Sequence, residues 1–362
     1  MRLINVNDIQ EGMILARPVY SKNGNKLLQE GATLKEGYVP KIKQLGYSSV
    51  YIQDKLLQDV EVNDLITEEL RRESINHMKE TFRSVKAKTT VSAVQVLELK
   101  GIVDKLLEDI ISNKNLIVDM VDIKMYDEYT FHHCVNVAVL SIIVGLSMGF
   151  NQESLYKIGL GALLHDIGKV NVSNELINKK GKLTDEEFEV VKEHTKQGYD
   201  KLKENNEIPS TSKIIALQHH ERVNGEGYPE GKNDDEIHIY SKIVAVADVF
   251  DAMTSDRPYR KGYVPSEVME YILGGAGSFF DRKVVGHFFK KVAVFPIGTE
   301  VTLNDNRVGL VIENFEKFTL RPKLRIIREN DKNIDPYDLD LRENNNKTLT
   351  IVKTNKNEQD TV

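Results

Sequence analysis

Three hydrophobic patterns follow one another along the chain. Up to about residue 60, apolar runs around Met13 to Val19 and at Leu27-Leu28 flank Ser21-Lys-Asn-Gly24, a turn signal between short strands. A helical stretch near Val39 to Leu45 ends at Gly46, and Ser49-Val-Tyr-Ile52 reads as a returning strand. From Glu61 to about Ile111 the chain is polar and charged, with Leu65, Leu70, Met78 and Phe82 recurring at roughly helical spacing and a break at Lys86-Ala-Lys-Thr-Thr90. From about Leu97 to Val294 it reads as helices joined by short loops. After Phe295-Pro-Ile-Gly298 the period changes to short β-rich runs, Val301 to Leu303, Val308 to Ile312 and Leu324 to Ile327. The tail from about Glu343 is polar, interrupted at Leu349 to Val352, with a mobile end expected. The predicted architecture is multidomain and mainly α. A mixed α/β regulatory domain spans 1–60, a helical connector 61–96, an all-helical bundle 97–294, and a small β-rich segment with a polar tail 295–362. The charged helical stretch after Glu61 is read as connector plus contact to a second copy, a homodimer.

Within the helical region, polar residues occupy positions the pattern marks as buried. The long apolar helix from about Tyr129 to Met148 carries His132 and His133 in its first turn. Val137, Leu140 and Val144 place His133 on the packed stripe, whereas His132 lies off it, in a supporting or surface role. Gly161-Ala-Leu-Leu-His-Asp-Ile-Gly-Lys-Val170 sets His165 and Asp166 at the end of an apolar helix, with Lys169 one turn after His165 and on its face. Thr184-Asp-Glu-Glu187 is a capping box opening a charged helix, with His194 at the border of the stripe made by Phe188, Val191 and Leu202. A helix from Ser212 to about Glu221 ends in His219-His220 and runs into Asn224-Gly-Glu-Gly-Tyr-Pro-Glu-Gly231, a shaped loop. Ser241 to Met253 is apolar nearly all round yet contains Asp248, and an unpaired buried carboxylate must meet a cation or take up a proton. Arg257, Arg260 and Lys261 gather just past that helix.

Composition narrows the partners. The net charge of -6 argues against a general nucleic-acid binder but not against a phosphate ligand held by local cations or metal ions. The single cysteine, Cys134, excludes intrachain disulfides and fits a reducing cytosol, so a cytoplasmic protein is expected. The N-terminus lacks the basic start and apolar core of a signal peptide. Val135 to Phe150, interrupted by Asn136, Ser141, Gly145 and Ser147, reads as a buried helix too short and too polar to span a bilayer.

Six of the nine histidines fall between positions 132 and 220, on four predicted helices with two matching aspartates. Imidazole with carboxylate suits first-row metals such as iron or manganese, and the lack of clustered cysteines argues against a structural zinc site. The donors exceed what one ion needs, and Asp166 is the natural bridge between two.

Taken in order, Tyr129-Thr-Phe-His-His133, His165-Asp166-Ile-Gly-Lys169, His194, His219-His-Glu-Arg-Val-Asn-Gly-Glu-Gly-Tyr-Pro229, Asp248 and Arg257-Pro-Tyr-Arg260 resemble the HD-GYP family. That family is the branch of the HD phosphohydrolases that hydrolyses the bacterial second messenger cyclic di-GMP. The resemblance covers about 200 residues. It implies an HD-type bundle holding two divalent ions on His133, His165, Asp166, His194, His219, His220 and Asp248. Asp166 and Lys169 would be catalytic, and Lys169, Arg257, Arg260 and Tyr228 would bind substrate. Arg260 stands where lysine is common and should still bind phosphate with a different hydrogen-bond geometry, and Asn224 stands where aspartate is frequent, a departure that does not touch the ligand set. The implied reaction is attack of a metal-bridging hydroxide on phosphorus, giving linear pGpG or, after a second cut, GMP. Some members hold a third ion on a glutamate one turn before the first ligand histidine. Here that position is Tyr129, with Glu128 and Asp127 the nearest carboxylates, so two ions are expected. The alternatives are an HD-type hydrolase of another cyclic dinucleotide or nucleotide, and a catalytically silent cyclic di-GMP receptor.

Overall fold

The computed structural model describes residues 1–21, 25–47, 49–62, 65–88, 90–113, 117–118, 129–177, 179, 181–255 and 262–354. At the N-terminus, β1 (Arg2–Asn5), β2 (Val19–Tyr20), β3 (Lys26–Leu28), helix α1 (Val39–Gln44) and β4 (Ser49–Ile52) surround a core of Val6, Leu15, Val19, Leu34, Ile42, Tyr47 and Val50. Strands β1 and β4 pair antiparallel, from Arg2 opposite Ile52 to Asn5 opposite Ser49, and β2 pairs with β3. Most of the turn expected at Ser21–Gly24, residues 22–24, lies outside the described residues.

Two long helices follow, α2 (Glu68–Lys88) and α3 (Ala93–Ser112). Helix α2 ends at Lys88, inside the expected Lys86–Thr90 stretch, and α3 starts because Ser92 and Gln95 form a reciprocal capping box. Leu65, Leu70, Met78 and Phe82 are all buried in the main helical core, Phe82 lying edge-on to Phe131 at 5.4 Å. These four positions therefore face the body of the same chain. Burial there contributes about 1.5–3 kcal/mol for each such large side chain.

Helix α4 (Tyr129–Ser147) is the centre of the bundle, packed by α2, α5 (Gln152–Leu164), α10 (Ile239–Thr254) and α12 (Arg282–Lys291). Its apolar character extends round the whole helix because neighbours surround it. Beginning at Tyr129, it is long and apolar enough by composition to cross a membrane, contrary to the expectation from Val135–Phe150. However, 72% of the window Thr130–Ser147 is buried inside the protein. Shorter helices α6 (Asn174–Ile177), α7 (Asp185–Lys192), α8 (His194–Lys203), α9 (Ser210–Gln218) and α11 (Pro265–Gly274) complete the helical body.

The charged helix expected after Thr184 is in fact two, α7 and α8. Side chains take carbonyls of α7's last turns: His194 Nδ1 lies 2.6 Å from Val191 O, and Thr195 Oγ1 donates to Lys192 O at 2.9 Å. Such local bonds compete with the helical ladder and turn the chain.

Five antiparallel strands close the chain, β5 (Glu300–Leu303), β6 (Val308–Glu313), β7 (Lys323–Glu329), β8 (Lys332–Asp340) and β9 (Ile351–Thr354), in the order β8-β7-β6-β5-β9. The two edge strands were not read from the sequence. β8 is polar, mostly exposed and carries Pro336, a pattern tolerated only at an edge. β9 takes up the end of the apolar interruption, Ile351 and Val352, and continues to Thr354 because β5 offers a free edge. The N-terminal unit docks against this sheet. Leu3 N–H donates to Gly298 O at 3.1 Å, and Arg325 binds both Asp59 (2.6 Å) and Leu56 O (2.7 Å).

Candidate metal centre

Four of the candidate ligand histidines stand at or just past helix ends. His165 caps the C-terminus of α5, His194 opens α8, His219 caps α9 and His220 follows it. Helix ends leave carbonyls without intrahelical partners. Three of these rings bond carbonyls in the last turns of the helices: His165 Nδ1 lies 2.7 Å from Ala162 O, His194 Nδ1 2.6 Å from Val191 O, and His219 Nδ1 3.1 Å from both Ile215 O and Ala216 O. A carbonyl can only accept, so Nδ1 carries the proton and the Nε2 lone pair is left for the interior.

Those Nε2 atoms converge on Asp166. Its Oδ2 lies 3.4 Å from His165 Nε2 and 3.8 Å from His133 Nε2, and its Oδ1 lies 3.4 Å from His194 Nε2 and 3.9 Å from His219 Nε2. Asp248 also faces both sides, with Oδ1 3.0 Å from His133 Nε2 and Oδ2 3.7 Å from His220 Nδ1. The donors separate into two groups, His133–His165–Asp166 and His194–His219–His220, each with its ligand atoms within 4.8 Å of one another. Among the described residues, all the sequence-predicted histidines and aspartates therefore meet in one place. His165 Nε2 and Asp166 Oδ1 are buried without a hydrogen-bond partner. Buried polar atoms of this kind need a counterpart, and a divalent cation satisfies both.

Electrostatics point the same way. Burial pushes His194 down to about 4 and His220 to about 3, and takes His219 well below its ordinary value, so these rings are neutral and can ligate. Burial would raise Asp166, but the Lys169 ammonium and the surrounding imidazoles hold it well below the usual carboxylate range. Asp248 is likewise depressed against the effect of burial, through His133 and His220. His133 differs from the other rings. Burial alone would lower it, yet carboxylates on both ring nitrogens, Asp248 and Asp251, raise it to about 9.

Lys169 reaches the centre differently from the expected helical face. Helix α5 stops at Leu164, and Ile167–Asn171 form a 3-10 turn that brings Lys169 Nζ to 2.6 Å from Asp166 Oδ2. The turn is pressed against α8 at Gly168, where a Cβ would come within 1.9 Å of His194 O and 2.6 Å of Gly198 N. Only glycine allows that approach, and it carries His165 and Asp166 to His194.

The Gly-Tyr-Pro loop closes one side. Tyr228 N–H donates to His220 O at 3.2 Å, and its ring stacks on His220 at 4.7 Å. Gly227 is again required by close packing, since a Cβ would meet Arg222 N at 2.3 Å. Burial, with Asp248 and Asp166 nearby, raises the Tyr228 phenol and keeps it neutral. Asn224 bonds Glu226 within the loop, away from the ligands. Arg257 and Arg260 lie outside the described residues, as do Asp127, Glu128 and the side chain of Tyr129.

An HD-domain family profile matches residues 105–284, which contain the convergent donors and the Gly-Tyr-Pro loop folded over them, and a KOW domain associated with HD domains matches residues 300–361. A cyclic di-GMP phosphodiesterase of Pseudomonas aeruginosa is 35% identical over 234 residues, 65% of this chain and 56% of that protein. The chain belongs to the HD-GYP family. A cyclic di-GMP phosphodiesterase of Thermotoga maritima is 40% identical over 173 residues, 46% of this chain and 47% of the other. The chain thus spans about half the length of these curated relatives. The solved structure of an HDG"Y"P protein from Bdellovibrio bacteriovorus shares the fold, with a TM-score of 0.53 at 18% identity over 79% of this chain and 97% of that one.

Two residues of this HD-GYP member that shape the site went unread in the sequence. Asp251, fully buried, lies 2.7 Å from His133 Nδ1 through Oδ2. The argument that singled out Asp248, a carboxylate in an all-apolar helix, applies equally to its neighbour one turn on. Glu221, also buried, accepts from the backbone N–H of Glu230 (2.8 Å) and Lys232 (3.0 Å) and so ties down the loop. It directly follows His219-His220, and no local pattern marks a single glutamate there as buried. His132 is half-buried beside the centre, and burial lowers it to about 4.

Proposed function

We propose that this chain is a cytoplasmic, metal-dependent phosphodiesterase that opens cyclic di-GMP to linear pGpG, with GMP as the product of a second cut. The observation that carries the reading is the placement of Asp166, with one carboxylate oxygen toward His133 and His165 and the other toward His194 and His219. His133, His165, Asp166, His194, His219, His220 and Asp248 are the proposed ligands of two divalent ions, iron or manganese, which imidazole with carboxylate suits. When bound, such ions supply a water acidic enough to serve as nucleophile near neutral pH and positive charge against the phosphoryl oxygens. The chain's own groups complete the chemistry. Lys169, one-quarter open to solvent and anchored on Asp166, presents its ammonium to a phosphoryl oxygen. Arg257 and Arg260 take the substrate phosphates by charge-assisted bonds, and the neutral Tyr228 lines the entrance.

Relatives named as cyclic di-GMP phosphodiesterases support the substrate. A 3'3'-cGAMP-specific phosphodiesterase of Vibrio cholerae, 36% identical over 166 residues, 45% of this chain and 37% of that one, favours a second reading with the hybrid dinucleotide as substrate. Manganese- or iron-loaded protein incubated with each dinucleotide, with products separated by chromatography, decides between them. Release of pGpG from cyclic di-GMP is expected, turnover of 3'3'-cGAMP alone selects the second reading, and turnover of neither rejects both.

A further inference from the structure

The described side chains around His133 form a chain of hydrogen bonds leading away from the proposed ligands. Asp251 Oδ2 lies 2.7 Å from His133 Nδ1, and Ser255 Oγ donates to the same oxygen at 3.3 Å. Asn136 Nδ2 donates to Asp251 Oδ1 at 2.9 Å, and Arg71 on α2 donates to Asn136 Oδ1 at 2.7 Å. His133 is the candidate ligand whose Nδ1 rests on a carboxylate; the described Nδ1 partners of His165, His194 and His219 are backbone carbonyls. His133 lies on α4, and a neighbouring helix fixes its ring. Asp251, fully buried on α10, does so, and its own orientation is set by Asn136 on α4 and through it by α2.

We propose that Asp251 is the positioning residue for His133 and that Asn136 and Arg71 hold Asp251 in turn, so that three helices jointly aim one metal ligand. The inference rests on the metal-site reading above. A carboxylate behind a ligating imidazole fixes its tautomer and raises its basicity, and losing it weakens metal binding by about 10- to 100-fold. Asn136 and Arg71 act through Asp251, so their removal costs less and adds little once Asp251 is changed.

The test titrates metal-stripped full-length protein with manganese, reading free Mn2+ by its electron paramagnetic resonance signal, with circular dichroism to verify the fold. Asp251→Asn is expected to weaken binding of one ion about 10- to 100-fold and spare the other. Asn136→Leu is expected to weaken the same ion by a smaller factor, and the double variant to match Asp251→Asn. Wild-type affinity in Asp251→Asn overturns the proposal, as do equal losses at both ions or losses that multiply in the double variant. If Asp251→Asn does not fold, Arg71→Met decides: selective weakening of one ion supports the network and unchanged affinity overturns it. Wild-type protein that binds manganese but leaves cyclic di-GMP intact would reject the proposed reaction and not this network.

Discussion

Asp166 is buried to 1% exposure, yet it is surrounded by four imidazoles and one ammonium. A carboxylate in such surroundings keeps its charge only because cations face it, and an amide of the same shape cannot bridge two divalent ions. Asp166→Asn is therefore expected to abolish hydrolysis and lower metal content, read by turnover and elemental analysis; a variant with wild-type values for both would remove the basis for the site. The histidines also set a pH dependence. His194 and His220 titrate near 4 and 3 when folded and near 6.5 when unfolded, so the unfolded chain binds more protons between those values. Their contribution is complete above about pH 6.5 and is lost as pH falls toward 4, on the order of 3 kcal/mol for His194. His133, raised to about 9, acts in the opposite sense, its contribution being lost as pH rises through that value. Thermal melts of metal-stripped protein should show the midpoint dropping between pH 6.5 and 4, and a flat profile there would contradict the burial of neutral rings.

Helix ends are the elements that build this site, because carbonyls of their last turns orient rings and their turns change the chain direction between donors. The 3-10 turn Ile167–Asn171 packed on α8 is the tightest of these joints. Gly168→Ala inserts a methyl group 1.9 Å from His194 O, which neither backbone can yield without separating the two donor groups. A destabilisation of about 1–3 kcal/mol is expected, together with weaker manganese binding. Denaturant unfolding and metal titration check both, and an unchanged midpoint with unchanged affinity would show that the turn can move freely.

The N-terminal unit contributes none of the convergent donors and has a core of its own. It is held to the C-terminal sheet by Leu3 on Gly298 and by Arg325 on Asp59, and to α2 by Arg72 over the Tyr20 ring at 5.0 Å. A chain starting near Glu61 should keep its metal and some hydrolysis while melting at a lower temperature, since it exposes the sheet face that residues 1–60 cover. Complete loss of metal from a soluble, folded truncation would show that this unit supports the centre directly.

The sequence by itself determined the mainly helical fold, the family and the list of polar residues on apolar helices, because periodicity and buried charge are local properties. His165-Asp166, His219-His220 and Asp248 were legible since each breaks a pattern that packing alone would leave apolar. Only the tertiary structure decided what those residues do together. It broke the charged helix at Glu193 so that His194 could face Asp166, and it seated Lys169 on a 3-10 turn instead of the face of α5. It also made strands of β8 and β9, whose polar or very short sequences become extended only when a neighbouring edge satisfies their backbone groups. Asp251 reaches His133 and Asn136 through hydrogen bonds that span 118 and 115 positions in the chain. A hydrogen bond of that span is invisible to any local pattern, since what selects it is the crossing of α4 and α10.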